Sequence, residues 1–244
     1  MSLSDRHITF EACFNFRDIG GYETAAGQRV KWGTVFRADS LARLTSSDID
    51  AAMDLGLRTV IDLRSTDELN RNGVFARATD VAFHHLPVFE EYTPATSDDS
   101  EPPPGVEYAA MATSGANAVA NAVSVIAEGD HAVVFHCAAG KDRTGIVAAL
   151  VLSSLGVPDE SIVRDYSLSE LSLEPWLAWA ESNAPQVAAE SASAPPWVLR
   201  APAANMQAFL DILRQRHGSV EGYLTNVGLD GEILDALRRR LLEG

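Results

Sequence analysis

His136-Cys137-Ala138-Ala139-Gly140-Lys141-Asp142-Arg143-Thr144-Gly145 follows the apolar, β-branched run Ala132-Val133-Val134-Phe135 and precedes a helical pattern from Ile146 to Leu155. The order is strand, tight loop, helix. Five residues separate Cys137 from Arg143, and a hydroxyl residue, Thr144, comes directly after the arginine. Backbone N–H groups of such a loop, with the first turn of the helix, converge on one point and favour an anion there. A thiolate at the mouth of that nest is stabilised by the helix N-terminus and by Arg143. Comparable settings bring a thiol pKa down to about 3.5–7.5. Arg143 can clamp two oxygens of a tetrahedral anion with its fork of donors. Ala138, Ala139, Gly140 and Lys141 supply the rest of the cradle. The stretch reads as a nucleophile aimed at a bound phosphate.

Three other readings compete. A free cysteine is most often a small buried hydrophobe, but that leaves Lys141, Asp142 and Arg143 without a purpose in so tight a turn. A nucleotide-binding loop fails because its first glycine would fall at Phe135, and Asp142 stands where a Ser or Thr should hold magnesium. A sulfur-transfer loop also presents a cysteine before a helix. The Cys-to-Arg spacing with the following Thr fits it less well.

The chain has 244 residues, 46% hydrophobic and 22% charged, enough for one α/β domain over 1–244 with a substantial core. No apolar run reaches the roughly 18–20 residues that span a bilayer, so stable membrane insertion is not expected. Met1 to His7 lack the basic and apolar regions of a secretory signal, which makes a cytoplasmic location the default. Export without a cleavable signal leaves no such trace. Two cysteines, Cys13 and Cys137, do not make a disulfide framework. Cys13 reads as a packed small residue, with reversible shielding of Cys137 as the alternative. His84 and His85 face opposite ways on a strand and no Cys-x-x-Cys occurs, so neither metal nor cofactor is called for. A net charge of −15 argues against nucleic acid. An anionic substrate must then be captured by a local field.

Along the chain, a helix is expected from Thr45 or Ser46 to Gly56, a strand at Thr59–Leu63, a short helix at Asp67–Arg71 and a strand at Val81–Val88. Residues 90–105, rich in proline and acids, read as a loop. One helix is expected from Val106 to Glu128 ahead of the catalytic strand. Beyond Leu155 the pattern is helical, with Pro158 at a helix start, further helices at Glu174–Ser182, Pro202–His217 and Asp230–Leu242, and an Ala/Ser/Pro-rich loop at 186–202. Residues 167–202 form a candidate lid. Strands alternating with helices and then a helical tail give an α/β fold with a largely parallel central sheet.

The loop His-Cys-x-x-Gly-Lys-Asp-Arg-Thr-Gly resembles the signature of cysteine-dependent protein tyrosine and dual-specificity phosphatases. Its Gly140-Lys141-Asp142-Arg143 is similar to the atypical bacterial branch, the mycobacterial protein-tyrosine phosphatase B type. Asn15-Phe16-Arg17-Asp18-Ile19-Gly20-Gly21, Arg37-Ala38-Asp39-Ser40-Leu41, Asp62-Leu63-Arg64-Ser65 and the segment Gly218 to Leu224 resemble further boxes of that branch. Residues 90–128 and 167–202 match poorly.

The resemblance implies a phosphatase acting on a phosphoprotein or phosphoinositide, phosphotyrosine first and phosphoserine/threonine or phosphoinositides as further substrates, without a metal. Cys137 is then the nucleophile, Arg143 with the loop N–H groups holds the equatorial oxygens, and Thr144 hydrogen-bonds Sγ. His136 orders the loop. Asp142, inside the signature, is the first candidate for the general acid. Glu90, on a second loop, is the other. Lys141 is expected to meet substrate charge, such as a second phosphate. Arg17, Asp18, Asp62 and Arg64 either line the pocket or form buried ion pairs behind it, with the structural role preferred. A sulfurtransferase and a phospho-binding module without turnover are the alternatives.

Overall fold

The computed structural model describes residues 6–91 and 101–244. In chain order, its strands are β1 (Arg17–Asp18), β2 (Arg29–Val30), β3 (Val35–Ala38), β4 (Leu57–Asp62), β5 (Ala82–His85), β6 (Ala132–His136) and β7 (Leu242–Glu243). Five of them form the central sheet in the order β1-β3-β6-β4-β5, and β2 pairs with β7 apart from it. All pairings in the central sheet are parallel except that of the short edge strand β1 with β3. The expected α/β fold with a mostly parallel sheet is the observed one.

Strand β6 lies at the centre because its residues are apolar on both faces, as a strand covered on both sides requires. Side chains alternate between the two layers. Val133 and Phe135 pack in the larger core, and Ala132 and Val134 pack against Phe16, Phe36 and Phe75 on the opposite face. Register then fixes where chemistry can occur. Ala38 and Asp62 both lie opposite His136, so β3, β6 and β4 end at one edge. The chain leaves that edge as Asp39-Ser40, Cys137-Ala138 and Leu63-Arg64. The carboxyl ends of parallel strands are the usual place for a ligand in such sheets.

The helices are α1 (Ser46–Asp54), α2 (Thr66–Asn72), α3 (Val106–Ser114), α4 (Ala116–Glu128), α5 (Asp142–Ser154), α6 (Asp159–Ser167), α7 (Leu173–Asn183), α8 (Pro185–Ser193), α9 (Pro196–Leu199), α10 (Ala203–His217), α11 (Val220–Asn226) and α12 (Gly231–Leu241). Helix α5, directly after the signature loop, is apolar nearly all round and is buried nearly all round. The expected helix 106–128 is two helices bent by 80° at Gly115. A Cβ at Gly115 would come 2.4 Å from the Val88 carbonyl oxygen, so the turn needs glycine to pass Val88. The Ala/Ser/Pro-rich stretch 186–202, expected as a loop, is largely α8 and α9; Pro185 and Pro196 stand at helix starts, where the missing N–H costs nothing. Pro158 caps α6 from outside instead of opening it. The loop expected at 90–105 falls mainly on residues 92–100, outside the described residues. Among the described residues no single helix is long and apolar enough to cross a membrane.

One buried ion cluster ties β1 and β3 to the helical half. Asp165 of α6 accepts from Arg17 Nε of β1 at 3.0 Å and from Arg37 Nη1 of β3 at 2.6 Å, all three side chains being about 1% exposed. Tyr22 adds a third donor at 3.1 Å. Burial alone would push the Asp165 carboxyl up, but Arg17 and Arg37 outweigh it and hold it well below the ordinary range. Its contribution to stability is therefore complete at neutral pH and is lost only as pH falls below the ordinary aspartate value of about 3.9. Asp165→Asn strands two guanidinium groups in the core. At pH 7 it should lower unfolding free energy by about 3–5 kcal/mol, read from urea denaturation.

Candidate active site

The loop between β6 and α5 is held by its carbonyls. Ser40 N donates to the Ala138 oxygen at 3.1 Å, Asn15 Nδ2 to the Ala139 oxygen at 2.9 Å, and Arg37 Nη2 to the Gly140 oxygen at 2.8 Å. In a trans peptide the carbonyl and the following N–H point opposite ways. Pulling these three oxygens back therefore turns the N–H groups of Ala139, Gly140 and Lys141 to the other side. Among the described residues none of those three N–H groups has a protein acceptor. Three such donors beside the open first turn of α5 form an anion nest.

Gly140 makes the nest sterically feasible. Its φ is +66°, and a Cβ there would sit 2.6 Å from the Ala38 carbonyl. No other residue type fits both the dihedral and the approach.

The loop opens onto a cavity of about 530 Å³ lined by Cys137, Ala138, Ala139, Lys141, Asp142 and Arg143. Cys137 is 2% exposed at the end of β6, at the positive end of α5. The Thr144 hydroxyl, one turn along, is buried without a hydrogen-bond partner among the described residues. His136 stands behind the loop. Its Nδ1 is hydrogen-bonded to the Cys137 carbonyl at 3.3 Å, and its Nε2, 3.5 Å from Asp62, has no hydrogen-bond partner among the described residues. Burial lowers the His136 pKa in spite of Asp62, so the ring is neutral at pH 7 and braces the loop.

Arg143 is gripped by a residue that sequence reasoning missed. Glu68 takes both guanidinium nitrogens in a fork, with Nη2 to Oε1 at 2.9 Å, and the Phe89 ring lies 4.8 Å away on the guanidinium. Burial works against the Arg143 charge, but Glu68, together with Cys137 and Asp142 close by, outweighs it and the pKa is raised. Glu68 is the third residue of α2, in a capping box with Ser65. The Ser-x-x-Glu spacing was legible as a helix start; that the same carboxylate holds an arginine 75 positions away was not.

Lys141 and Asp142 are engaged by other elements. The Lys141 ammonium donates to the carbonyls of Val198 and, at 3.0 Å, Arg200, and lies 3.3 Å from Asp142 Oδ1. It thus faces the segment that lines one side of the cavity, where Leu173, Trp176, Trp179, Val187 and Leu199 form an apolar wall. Asp142 Oδ1 accepts from the Tyr108 hydroxyl at 2.6 Å.

The remaining candidates separate. Arg64 lines the cavity while paired in a fork with buried Asp62. Arg17 sits in the Asp165 cluster, and Asp18 accepts the N–H groups of Gly20 and Gly33, neither of them on the cavity wall. Glu90 is exposed, and both its oxygens accept from Thr66 at the start of α2, away from the cavity wall. Cys13 gives its S–H to Asp39, packs in the core layer opposite that of Cys137, and has its thiol pKa pushed up by burial. Gly140→Ala should cost about 1–3 kcal/mol of stability. It should also abolish orthovanadate binding, measured by calorimetry on the folded variant below its melting temperature.

A family model described as the tyrosine phosphatase family matches residues 8–243. A Cupriavidus necator relative is 32% identical over 182 residues, which span 68% of this chain and 64% of that one. A tyrosine-protein phosphatase of Nostoc commune is 32% identical over 216 residues, 84% of this chain and 73% of its own length. The triple specificity protein phosphatase PtpB of Mycobacterium tuberculosis is 29% identical, over 94% of this chain and 96% of its own.

Proposed function

Because this chain belongs to the tyrosine phosphatase family, we propose that it hydrolyses phosphomonoesters through a phosphocysteine on Cys137. The observation that carries this reading is the backward anchoring of three loop carbonyls, which leaves three N–H donors beside the cysteine. In the first step the Cys137 thiolate attacks phosphorus in line and the ester P–O bond breaks. Asp142 gives its proton to the leaving oxygen. Arg143, already fixed by Glu68, and the loop N–H groups hold the equatorial oxygens. In the second step water attacks phosphorus, the S–P bond breaks, Asp142 takes back a proton, and the Thr144 hydroxyl bonds the departing Sγ. Glu90, committed to Thr66, is the weaker candidate for the acid.

Phosphotyrosine is the first substrate class. The apolar, tryptophan-bearing wall over Cys137 suits an aromatic ester. The name of the mycobacterial relative, a triple specificity phosphatase, supports a range that includes other phosphate esters. Lys141, whose ammonium is spent on two carbonyls, is free for a second phosphate only when the cover moves. Residues 167–202 act in this reading as a lid, with Lys141 as its fastener.

Cys137→Ser should reduce p-nitrophenyl phosphate turnover to background, and rapid-quench mass spectrometry of the wild type should trap a phosphorylated Cys137. Retention of turnover by that variant sinks the mechanism. For the lid, Lys141→Met removes two charge-assisted hydrogen bonds. Hydrogen exchange across α8 and α9 should become about tenfold faster or more; unchanged exchange means that Lys141 does not fasten it.

A further inference from the structure

Two buried phenols have no part in the scheme above. Tyr108 of α3 donates to Asp142 Oδ1 at 2.6 Å, and its oxygen is also hydrogen-bonded to the hydroxyl of Tyr166 on α6. The rings meet edge to face with centroids 5.7 Å apart, and the two residues are 5% and 1% exposed. Hydroxyls so deep in a core are present at a cost unless they are bonded. Burial first, and then the Asp142 charge, keep both phenols protonated far above neutral pH. Each therefore has one proton to donate. An ionised carboxylate can only accept, so the chain runs in one direction, from Tyr166 to Tyr108 to Asp142.

The two oxygens of Asp142 are treated differently. Oδ1 meets both the Tyr108 hydroxyl and, at 3.3 Å, the Lys141 ammonium. Among the described residues no protein donor reaches Oδ2, and the Asp142 side chain is one-third exposed at the cavity wall. The other charges around this group are Arg143 beside it on α5, and Arg37 and Glu170, which act on Tyr166.

We propose that Tyr108, backed by Tyr166, is the positioning residue for the general acid: it occupies Oδ1, so that Oδ2 is the oxygen that carries and delivers the proton. This rests on the assignment of Asp142 as the acid. As the ester bond breaks, the proton passes from Oδ2 to the leaving oxygen, and the new carboxylate charge is met at Oδ1 by donors already in place. No reorganisation is then needed at the moment of transfer. In the second step Oδ2 receives the proton released by the attacking water, and the chain of phenols is unchanged.

The test is the dependence of kcat/KM on leaving group, measured with phosphate esters ranging from p-nitrophenyl to alkyl. A p-nitrophenolate leaves without a proton, whereas an alkoxide needs one. Tyr108→Phe should leave p-nitrophenyl phosphate within about twofold of wild type and slow the alkyl ester about tenfold or more, the size of one charge-assisted hydrogen bond. The alkaline limb of the alkyl-ester profile should move to higher pH, because a carboxylate that has lost a donor holds its proton longer. Tyr166→Phe should act in the same direction and more weakly. It carries the test alone if Tyr108→Phe does not fold. On the alkyl ester, Tyr108→Phe combined with Asp142→Asn should be no slower than Asp142→Asn.

A loss equal across all esters with unmoved pH limbs makes Tyr108 a packing residue and overturns the proposal. Losses that multiply in the double variant do the same. The two readings fail separately. If Asp142→Asn steepens the leaving-group dependence and Tyr108→Phe does not, only the positioning role falls. If Asp142→Asn itself leaves alkyl-ester turnover intact, the acid assignment falls and the positioning role with it.

Discussion

Three hydrogen bonds to loop carbonyls fix the shape of the turn after Cys137. Ser40, Asn15 and Arg37 each take one oxygen of the turn after Cys137, and planarity of the peptide does the rest. Without those anchors a run of small residues ending in Gly140 has many conformations, most of which scatter its N–H groups. With them its N–H groups turn to one side, the arrangement that favours an anion. The ordering is done during folding, so binding need not supply it.

The anchors depend in turn on charge buried elsewhere. Arg37 reaches the Gly140 carbonyl because its other nitrogen is fixed by Asp165, which also fixes Arg17, which bonds Asn15. Such a cluster is costly to desolvate, and apolar residues of equal volume often do as well for stability alone. Here it sets geometry, with each member holding a neighbour that touches the loop. The same arrangement recurs on the other side, where Ser65 caps the helix that carries Glu68, and Glu68 holds Arg143.

Much of this was legible from residue order. The strand, turn and helix around Cys137 follow from an apolar β-branched run, a small-residue turn and a second apolar run, and the parallel sheet follows from the alternation around them. Local signals also found the capped helices at Thr45 and Asp230. Two kinds of feature escaped. Breaks and continuations that depend on distant packing were misread, as at Gly115, which bends because Val88 is in the way, and at 186–202, where prolines open helices. Long-range partners were invisible as well: Glu68 for Arg143, Asp165 for Arg17 and Arg37, Tyr108 for Asp142. In each case the residue was plain, and its partner came from a part of the chain that no period or spacing connects to it. Lys141 shows the same limit. It was expected to face ligand charge, and it is found bonded to backbone oxygens of the cover.

The pairing of Arg17 with Asp165 spans 148 positions, and that of Asn15 with Ala139 spans 124. Contacts so distant in sequence close large loops and form late and slowly during folding. A chain emerging from the ribosome therefore carries Cys137 for some time before α6 arrives to lock β1 and β3 behind it. The bonds that anchor the loop can all be present only once some two-thirds of the chain has been made, so the shape of the turn after Cys137 depends on a helix that follows it in the sequence.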